Sequence, residues 1–368
     1  MRTAFLLSAT ALAGCSSLPG IPGPGPTPLF PDHGDVRTVE IRNFIGRLEI
    51  EEARFFKVDD RTLRIGEMRG RDLIVDAGHA PDTALCEVVG DEVHLTHPGW
   101  GGRVEIGDGG RNGDLDQLPV VRVKAGGRNI RLVVRNSILF GEAGDLAEMD
   151  LEMKACGRLD IGDVEDKATL HLAGDVRVDF DDTERLDARM AGRAFVYAER
   201  ITETEAALSD ATQLRIEDAG RVRLGLDAMS RAQLGEVRVL AADVSQTATL
   251  RARELMHTSM IRQTGVSRVD IEASRADAVE LHVGGQSEAR IGGETSLARL
   301  TTTDRGLIDI HEVSDALIAE ARDRSEIRIA RDPETLKASR IGFGGVRRFL
   351  ERVNEIPSLE MLLDGLFD

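Results

Sequence analysis

ARIGGETSLARLTTTDRGLIDIHEVSDALIAEARDRSEIRI, residues Ala289 to Ile329, carries the clearest structural signal in the chain. It contains three alternations of an apolar, a charged and an apolar residue, Ala289-Arg290-Ile291, Ile308-Asp309-Ile310 and Ile327-Arg328-Ile329, and the spacing between them is constant. A period of two predicts a β-strand with one buried face. The constant spacing indicates that successive strands stack on one another as coils.

The same alternation recurs through residues 118–345. Nine intervals separate Ile161 from Ile329, about 18.7 positions each on average, and single intervals vary between 16 and 21. The earlier members are Leu159-Asp160-Ile161, Val176-Arg177-Val178, Ala194-Phe195-Val196, Leu214-Arg215-Ile216, Ala232-Gln233-Leu234, Ala248-Thr249-Leu250 and Val269-Asp270-Ile271. The pattern predicts an all-β chain, a parallel β-helix (β-solenoid) with coils of about 19 residues.

Two other repetitive folds fit less well. Hexapeptide-repeat coils place an aliphatic residue at every sixth position, and this chain has no sustained period of six. An antiparallel sandwich also alternates, but it does not require so regular a spacing.

The ends of the solenoid need cover, because an open end exposes unpaired backbone groups. Residues 36–117 hold less regular strand patterns and are interpreted as an N-terminal β subdomain or irregular first coils. Residues 346–368 change to a spacing near that of a helix and predict a short C-terminal helical cap.

The N-terminus predicts export and lipid anchoring. Residues 1–14 combine Arg2 with a short apolar run, which is typical of a signal peptide and too short to span a bilayer. Leu12-Ala13-Gly14-Cys15 matches the lipobox of bacterial lipoproteins, so Cys15 is the predicted lipidation site and the membrane is a predicted partner. Residues 15–35 contain a Pro- and Gly-rich tether. Ser16, which is not acidic, favours the outer membrane, facing either the periplasm or the surface.

Composition narrows the partners. The net charge is −17, so the chain repels phosphate backbones and nucleic acid is an unexpected partner. Aromatic residues make up only 4% of the chain, with one Trp and one Tyr, which counts against a deep sugar-binding cleft. No cofactor is predicted.

Two further cysteines, Cys86 and Cys156, form a disulfide in one interpretation, since an oxidising compartment permits it. In the other they are isolated buried thiols.

One loop has the oxygen ligands that calcium requires. Gly107 to Asp116 contains Asp108, Asn112, Asp114 and Asp116, but it occurs once and lacks a bidentate Glu, so a plain loop is the alternative and no metal site is assigned. His94 and His97 lie three apart in a strand pattern and therefore point to opposite faces.

Catalytic motifs are absent from the sequence, and no catalytic residue is assigned. Carboxylate pairs such as Asp160 with Asp163, or Asp179 with Asp181 and Asp182, could serve a polysaccharide lyase or hydrolase built on a β-helix. Charged turn residues are common throughout the chain, so these pairs carry little weight.

The run VEIRNFIGRLEI, Val39 to Ile50, followed by LPVVRV, Leu118 to Val123, and the train of coils, resembles the auto-transporter adhesin head GIN domain family. The resemblance covers roughly residues 36–345. It implies a short-coil parallel β-solenoid that is exported, often lipid-anchored and without assigned chemistry. The Gly-Ser-Gly triplets of that family are missing here, and Gly342-Phe343-Gly344-Gly345 is the nearest equivalent.

Together these features predict a lipid-anchored, non-catalytic envelope protein, a binding or structural module that is adhesin-like. Its expected partner is an envelope protein or a polysaccharide. The alternative is a carbohydrate-active β-helix enzyme.

Overall fold

The computed structural model describes residues 36–78, 84–89, 92–97, 103–107, 112–113, 117–125 and 129–331. All of them belong to one unit that begins at Val36. The predicted signal peptide, Cys15, the tether and the helical cap lie outside the described residues. Within the described ranges the chain is mainly strand and turn, with a 3-10 turn at Thr62–Arg64 and no α-helix.

The first ten strands are short. They are β1 (Arg37–Arg42), β2 (Ile45–Glu52), β3 (Lys57–Val58), β4 (Gly66–Arg69), β5 (Asp72–Asp76), β6 (Leu85–Val89), β7 (Glu92–Thr96), β8 (Arg103–Gly107), β9 (Asn112–Gly113) and β10 (Val120–Ala125).

The later strands are long, and all but the last follow most of a coil or more. They are β11 (Ile130–Ala143), β12 (Leu146–Ile161), β13 (Val164–Gly192), β14 (Phe195–Leu208), β15 (Gln213–Leu226), β16 (Arg231–Val244), β17 (Thr249–Gln263), β18 (Arg268–Val283), β19 (Glu288–Thr302), β20 (Leu307–Ala321) and the shorter β21 (Glu326–Arg331).

These strands form a parallel β-solenoid of about eleven coils spaced about 19 residues apart, which confirms the predicted fold. Each of β12 to β20 pairs in parallel with the strand before it and the strand after it. Equivalent residues of neighbouring coils therefore stand directly above one another. A single buried cluster runs through the lumen from Val39 to Leu317.

In three of the ten coils, the apolar pair chosen from the sequence lies two positions before the pair that stacks with the neighbouring coil in the structure. Leu159 pairs with Val178, Val178 with Val196, and Ala232 with Leu250. The equivalent apolar pairs are thus Val178 with Phe180, Val196 with Ala198, and Leu250 with Ala252. With this register the intervals between coils become nearly equal.

The error has a simple physical reason. The first residue of each misplaced pair also faces the lumen, with at most 1% exposure; these are Val176, Ala194 and Ala248. Each of these strands therefore has three apolar inward positions in a row, and the sequence does not show which two match the neighbouring coil. In other coils the first of the three is a buried hydroxyl residue; these are Thr212, Ser230, Ser267 and Ser287. Neighbours in this column bond to each other, as Ser267 Oγ does to Ser287 Oγ at 3.1 Å.

The turns between coils share one backbone conformation. A residue with positive φ occupies the same place in each; the series is Asp210, Ala228, Gln246, Gly265, Gly285, Asp304 and Asp323. The following amide donates to the turn below, as Met229 N does to Asp210 O at 2.8 Å. The turns therefore continue the hydrogen-bonded stack instead of interrupting it.

The N-terminal region contains both alternatives that the sequence allowed, irregular first coils and a separate β subdomain. β1 lies between β5 and β11, and β2 lies between β10 and β11, all in parallel, so β1 and β2 form a coil inside the stack. β3 and β4 pair antiparallel with β10 and β5. They cover the end of the solenoid, where edge strands would otherwise be exposed.

An antiparallel sheet, β6 to β9, is inserted between β5 and β10. Its Leu95 and Ile106 are fully buried in a second cluster with Ile45, Ile138 and Phe140 of the solenoid. The inserted sheet therefore packs on the outside of the first coils.

Candidate functional site

One side of the solenoid carries the most distinctive set of outward side chains, and we call it face A. It comprises the outward positions at the start of β14 to β18: Phe195, Tyr197, Glu199, Gln213, Arg215, Glu217, Arg231, Gln233, Gly235, Thr249, Arg251, Arg253, Arg268, Asp270 and Glu272. Alternate residues of the same strands are buried in the lumen. Parallel pairing stacks these side chains in columns with a rise of roughly 4.8 Å per coil.

A shallow depression of about 310 Å³ lies in the middle of face A. Its outward lining residues, which define what we call the basic depression, are Arg215, Glu217, Gln233, Gly235, Arg251, Arg253 and Glu272. Gly235 supplies no side chain at this position, because a Cβ there would lie 2.1 Å from the carbonyl oxygen of Glu217. The column of side chains is therefore interrupted at this coil.

The arginines in and beside the basic depression differ in their partners. Arg215 is paired with Glu217 at 2.6 Å. The side chains of Arg231, Arg251 and Arg253 make no hydrogen bond or ion pair within the described part of the chain, and all three are exposed. Most other arginines of the stack pair with a nearby carboxylate, as Arg290 does with Glu288. Unpaired guanidinium groups remain available to an external anion.

Two aromatic residues stand at the lower end of face A. Phe195 and Tyr197 project side by side from β14, and both are partly exposed. Arg177 lies 4.7 Å from the centroid of the Phe195 ring, and Arg215 lies 5.6 Å from that of Tyr197. Partial burial raises the pKa of the Tyr197 hydroxyl, and the nearby Glu217 and Glu199 carboxylates raise it further. Tyr197 is thus a neutral, partly exposed ring with the Arg215 guanidinium over one face.

Carboxylates converge below the aromatic pair. Partial burial raises the pKa of Asp181, and the charges of Glu199, Asp163, Asp182 and Asp160 add to this shift. A raised carboxyl pKa is a property that general acids require.

Two carboxylates nearby are held by arginines. Asp179 accepts from Arg177 at 2.8 Å and lies 3.4 Å from Arg158, while Asp182 pairs with Arg200 at 2.7 Å. Of the carboxylate pairs weighed in the sequence, Asp160 and Asp163 thus act on the pKa of Asp181 through their charge, whereas Asp179 is tied into an ion pair.

The remaining predicted site residues fall in different places. Cys86 of β6 and Cys156 of β12 are joined by a disulfide, with their Cα atoms 6.0 Å apart. Asn112 lies in β9, and its backbone pairs with Gly107. Asp108, Asp114 and Asp116 lie outside the described residues, as does Cys15. Glu92 contacts His94 at 3.2 Å, and His97 is buried.

The basic depression was not foreseen from the sequence. Only five of the 47 basic residues are lysine, and arginine fills outward positions throughout the repeat, so Arg231, Arg251 and Arg253 look like any other. The available signal was Gly235, a glycine at an outward strand position between charged columns. Recognising it requires the register that the sequence left ambiguous.

Two negative findings apply to the described residues alone. No group of three or more His, Cys, Asp or Glu side chains there is arranged to hold a metal ion. In that same portion, no helix has the length and apolar character needed to cross a membrane.

Comparison with known proteins adds no identification, because no protein-family model, curated protein sequence or solved structure matches the chain. The class of protein is therefore set by the structure itself. The chain is a parallel β-solenoid protein whose outer face carries a basic depression beside an aromatic pair.

Proposed function

We propose that this chain is a lipid-anchored, non-catalytic envelope protein that uses its solenoid as a binding or structural module. The lipid is attached at Cys15, and the segment from Cys15 to residue 35 lifts the solenoid off the membrane. The anchor lies in the outer membrane, and the partner is an envelope polysaccharide or protein, with an adhesin-like role as in the family that the chain resembles. Nucleic acid is not a partner.

Face A is the observation that carries this proposal. It presents unpaired arginines and partly exposed aromatic rings on a stack of parallel strands bonded above and below. The backbone of such a surface is rigid before binding, so little backbone entropy is lost when a partner docks. An extended partner can contact several coils at once.

The anchor can be tested by metabolic labelling with a palmitate analogue. We expect the wild-type chain to incorporate the label and to fractionate with membranes. The Cys15→Ala variant should incorporate none and be recovered in the soluble fraction. A labelled Cys15→Ala chain would contradict lipidation at this cysteine.

The exposure of the solenoid can be tested by protease shaving of intact cells that carry an epitope tag after Asp368. Loss of the tag from intact cells would support a surface adhesin-like role. Protection in intact cells, with cleavage after lysis, would remove the adhesin role and leave a periplasmic binding module. Recovery of the chain in the cytoplasm would overturn the proposal.

A second candidate function, a carbohydrate-active β-helix enzyme, is favoured by one observation. Asp181 has a raised carboxyl pKa and lies among other carboxylates beside Tyr197. In this alternative Asp181 would donate a proton to the leaving oxygen of a glycosidic bond. Release of new chain ends from an envelope polysaccharide by the wild type, lost in Asp181→Asn, would establish it; no release from any polysaccharide that the chain binds would exclude it.

A further inference from the structure

The arginines around Gly235 give face A a local charge opposite to that of the whole molecule. The nine outward positions of β15 to β17, from Gln213 to Arg253, contain four arginines and one glutamate, and Arg268, Asp270 and Glu272 follow on β18. The complete chain has a net charge of −17. Charges beyond about 8 Å are largely screened at physiological ionic strength, so a bound group senses the local arginines more than the distant acids.

The geometry suits a carboxylate on a small ring. Arg251 and Arg253 project from the same strand at alternate positions, and Gln233 lies directly below Arg251 in the stack. A guanidinium group matches a carboxylate with two parallel hydrogen bonds. In the next coil Asp270 stands directly above Arg251, and Glu272 directly above Arg253. The volume of about 310 Å³ lies at the small end of ligand sites.

The aromatic pair indicates that the ligand continues beyond the depression. Tyr197, Arg215, Gln233 and Arg251 follow one another in a single column on four successive coils. Tyr197 and Arg251 are thus three coils, or roughly 14 Å, apart along the stack. Sugar rings stack on exposed aromatic faces, and a few linked rings span this distance. An acidic polypeptide would use the arginines but would gain little from the flat Tyr197 ring.

We propose that face A binds an acidic polysaccharide, with the carboxylate of one sugar on Arg251 and Arg253 and a neighbouring sugar stacked on Tyr197. This inference rests on the proposed function and names its ligand class. It requires a shallow site, in agreement with the low aromatic content of the chain.

The test measures binding of the intact mature protein in detergent to alginate, a polymer of carboxylate-bearing sugars. Uncharged dextran and polyglutamate are the comparison polymers. We expect binding to alginate that is at least tenfold tighter than to either of them. Equal binding to polyglutamate would mean that the surface recognises any polyanion and would overturn the proposal. No binding to alginate would also overturn it.

Matched variants locate the site. The double variant Arg251→Gln with Arg253→Gln should weaken alginate binding at least tenfold. The control double variant Arg305→Gln with Arg324→Gln removes the same charge from two exposed turn arginines whose side chains also make no hydrogen bond or ion pair with described residues. Its binding should stay within twofold of wild type. An equal loss of alginate affinity in both double variants would show that only the total charge matters, and it would contradict the proposal.

A third variant separates stacking from charge. Tyr197→Leu keeps the apolar bulk and removes the flat ring, so we expect a loss of at least threefold for alginate. An unchanged affinity would remove the stacking part of the proposal. All variants should melt at the wild-type temperature, because none of these side chains is in the lumen; single Arg251→Gln and Arg253→Gln variants serve if the double does not fold. The two proposals can fail separately. If the protein does not bind alginate but the tag is lost in the shaving experiment, the acidic-polysaccharide ligand is rejected, while the proposed envelope binding module is still supported.

Discussion

At the scale of single residues, Asp181 is the clearest case of unfavourable electrostatics. Its folded-state pKa is raised, so the folded chain binds this proton more readily than the unfolded chain does. The resulting destabilisation is fully present above the folded pKa and disappears as the pH falls below the ordinary carboxyl value of about 3.9. It is small, since much of the Asp181 side chain remains in contact with solvent, which screens its charge.

We therefore expect Asp181→Asn to raise the unfolding free energy at pH 7 by up to about 0.5 kcal/mol. The gain should vanish near pH 3, where the wild-type carboxyl is itself neutral. Thermal melts at both pH values check this. Asp175→Asn is the control; its carboxylate pairs with Arg193 at 2.5 Å, so its loss should bring no gain. A gain for Asp181→Asn that persists at pH 3 would contradict the electrostatic explanation.

Glycine shows a second residue-scale contrast. A Cβ on Gly235 would meet the Glu217 carbonyl at 2.1 Å, whereas a Cβ on Gly225 would meet nothing within 4 Å. We expect Gly235→Ala to cost about 1 to 3 kcal/mol, because the strands must separate to admit the methyl group. Gly225→Ala should be neutral or slightly stabilising. Chemical unfolding of the two variants is the measurement, and equal stabilities would show that the strands of β15 and β16 yield easily.

At the scale of elements, the inserted sheet β6 to β9 is held to the solenoid in two ways. Its buried face packs on Ile45, Ile138 and Phe140, and the Cys86–Cys156 disulfide joins it to β12. The disulfide closes a sequence separation of 70 residues. In the chain-entropy treatment, a loop of that length contributes about 4 kcal/mol at most.

We expect Cys86→Ala to lower the unfolding free energy by about 2 to 4 kcal/mol. Proteolysis should then occur first between residues 79 and 117, while the later coils stay intact. Reduction of the wild type with a thiol reagent should reproduce the effect. A variant as stable as the oxidised wild type would mean that apolar packing alone holds the sheet.

The C-terminal half of the stack shows how elements protect one another. Each coil from β14 to β19 is bonded to a coil below and a coil above, but β21 is bonded only to β20 in the described part of the chain. A middle coil therefore cannot open without breaking two interfaces.

At the scale of the whole molecule, this nearest-neighbour arrangement predicts the pattern of amide hydrogen exchange. Protection should be greatest in β14 to β18, lower in β20 and β21, and lowest in β6 to β9. Exchange followed by peptide mass spectrometry measures it directly. Uniform protection from β1 to β21 would indicate that the solenoid opens only as one cooperative unit.

The charge of the whole molecule also has a structural meaning. Most arginines on the described surface are neutralised locally, for example Arg328 by Glu326 and Arg322 by Glu320. The excess of 64 acidic over 47 basic residues therefore leaves a net negative surface on which unpaired arginines are conspicuous. On face A three such arginines, Arg231, Arg251 and Arg253, lie on two neighbouring strands.

The sequence by itself determined the fold class and the coil length. Each coil repeats the same alternation of buried and exposed residues, and the spacing of the repeats gives the coil length directly. The buried state of Leu159, Val269 and Ile308 followed directly from the period of two. Lipidation of Cys15 remains a prediction, since that residue lies outside the described ranges.

Tertiary structure alone decided the register, the order of the first coils and the composition of the candidate site. Val176 and Val178 are equally apolar, so only pairing shows which of them stands under Val196. β1 comes to lie between strands far away in sequence, which no local pattern encodes. Arg231, Arg251 and Arg253 are neighbours only because successive coils stack in register, and whether a guanidinium group has a partner depends on those neighbours.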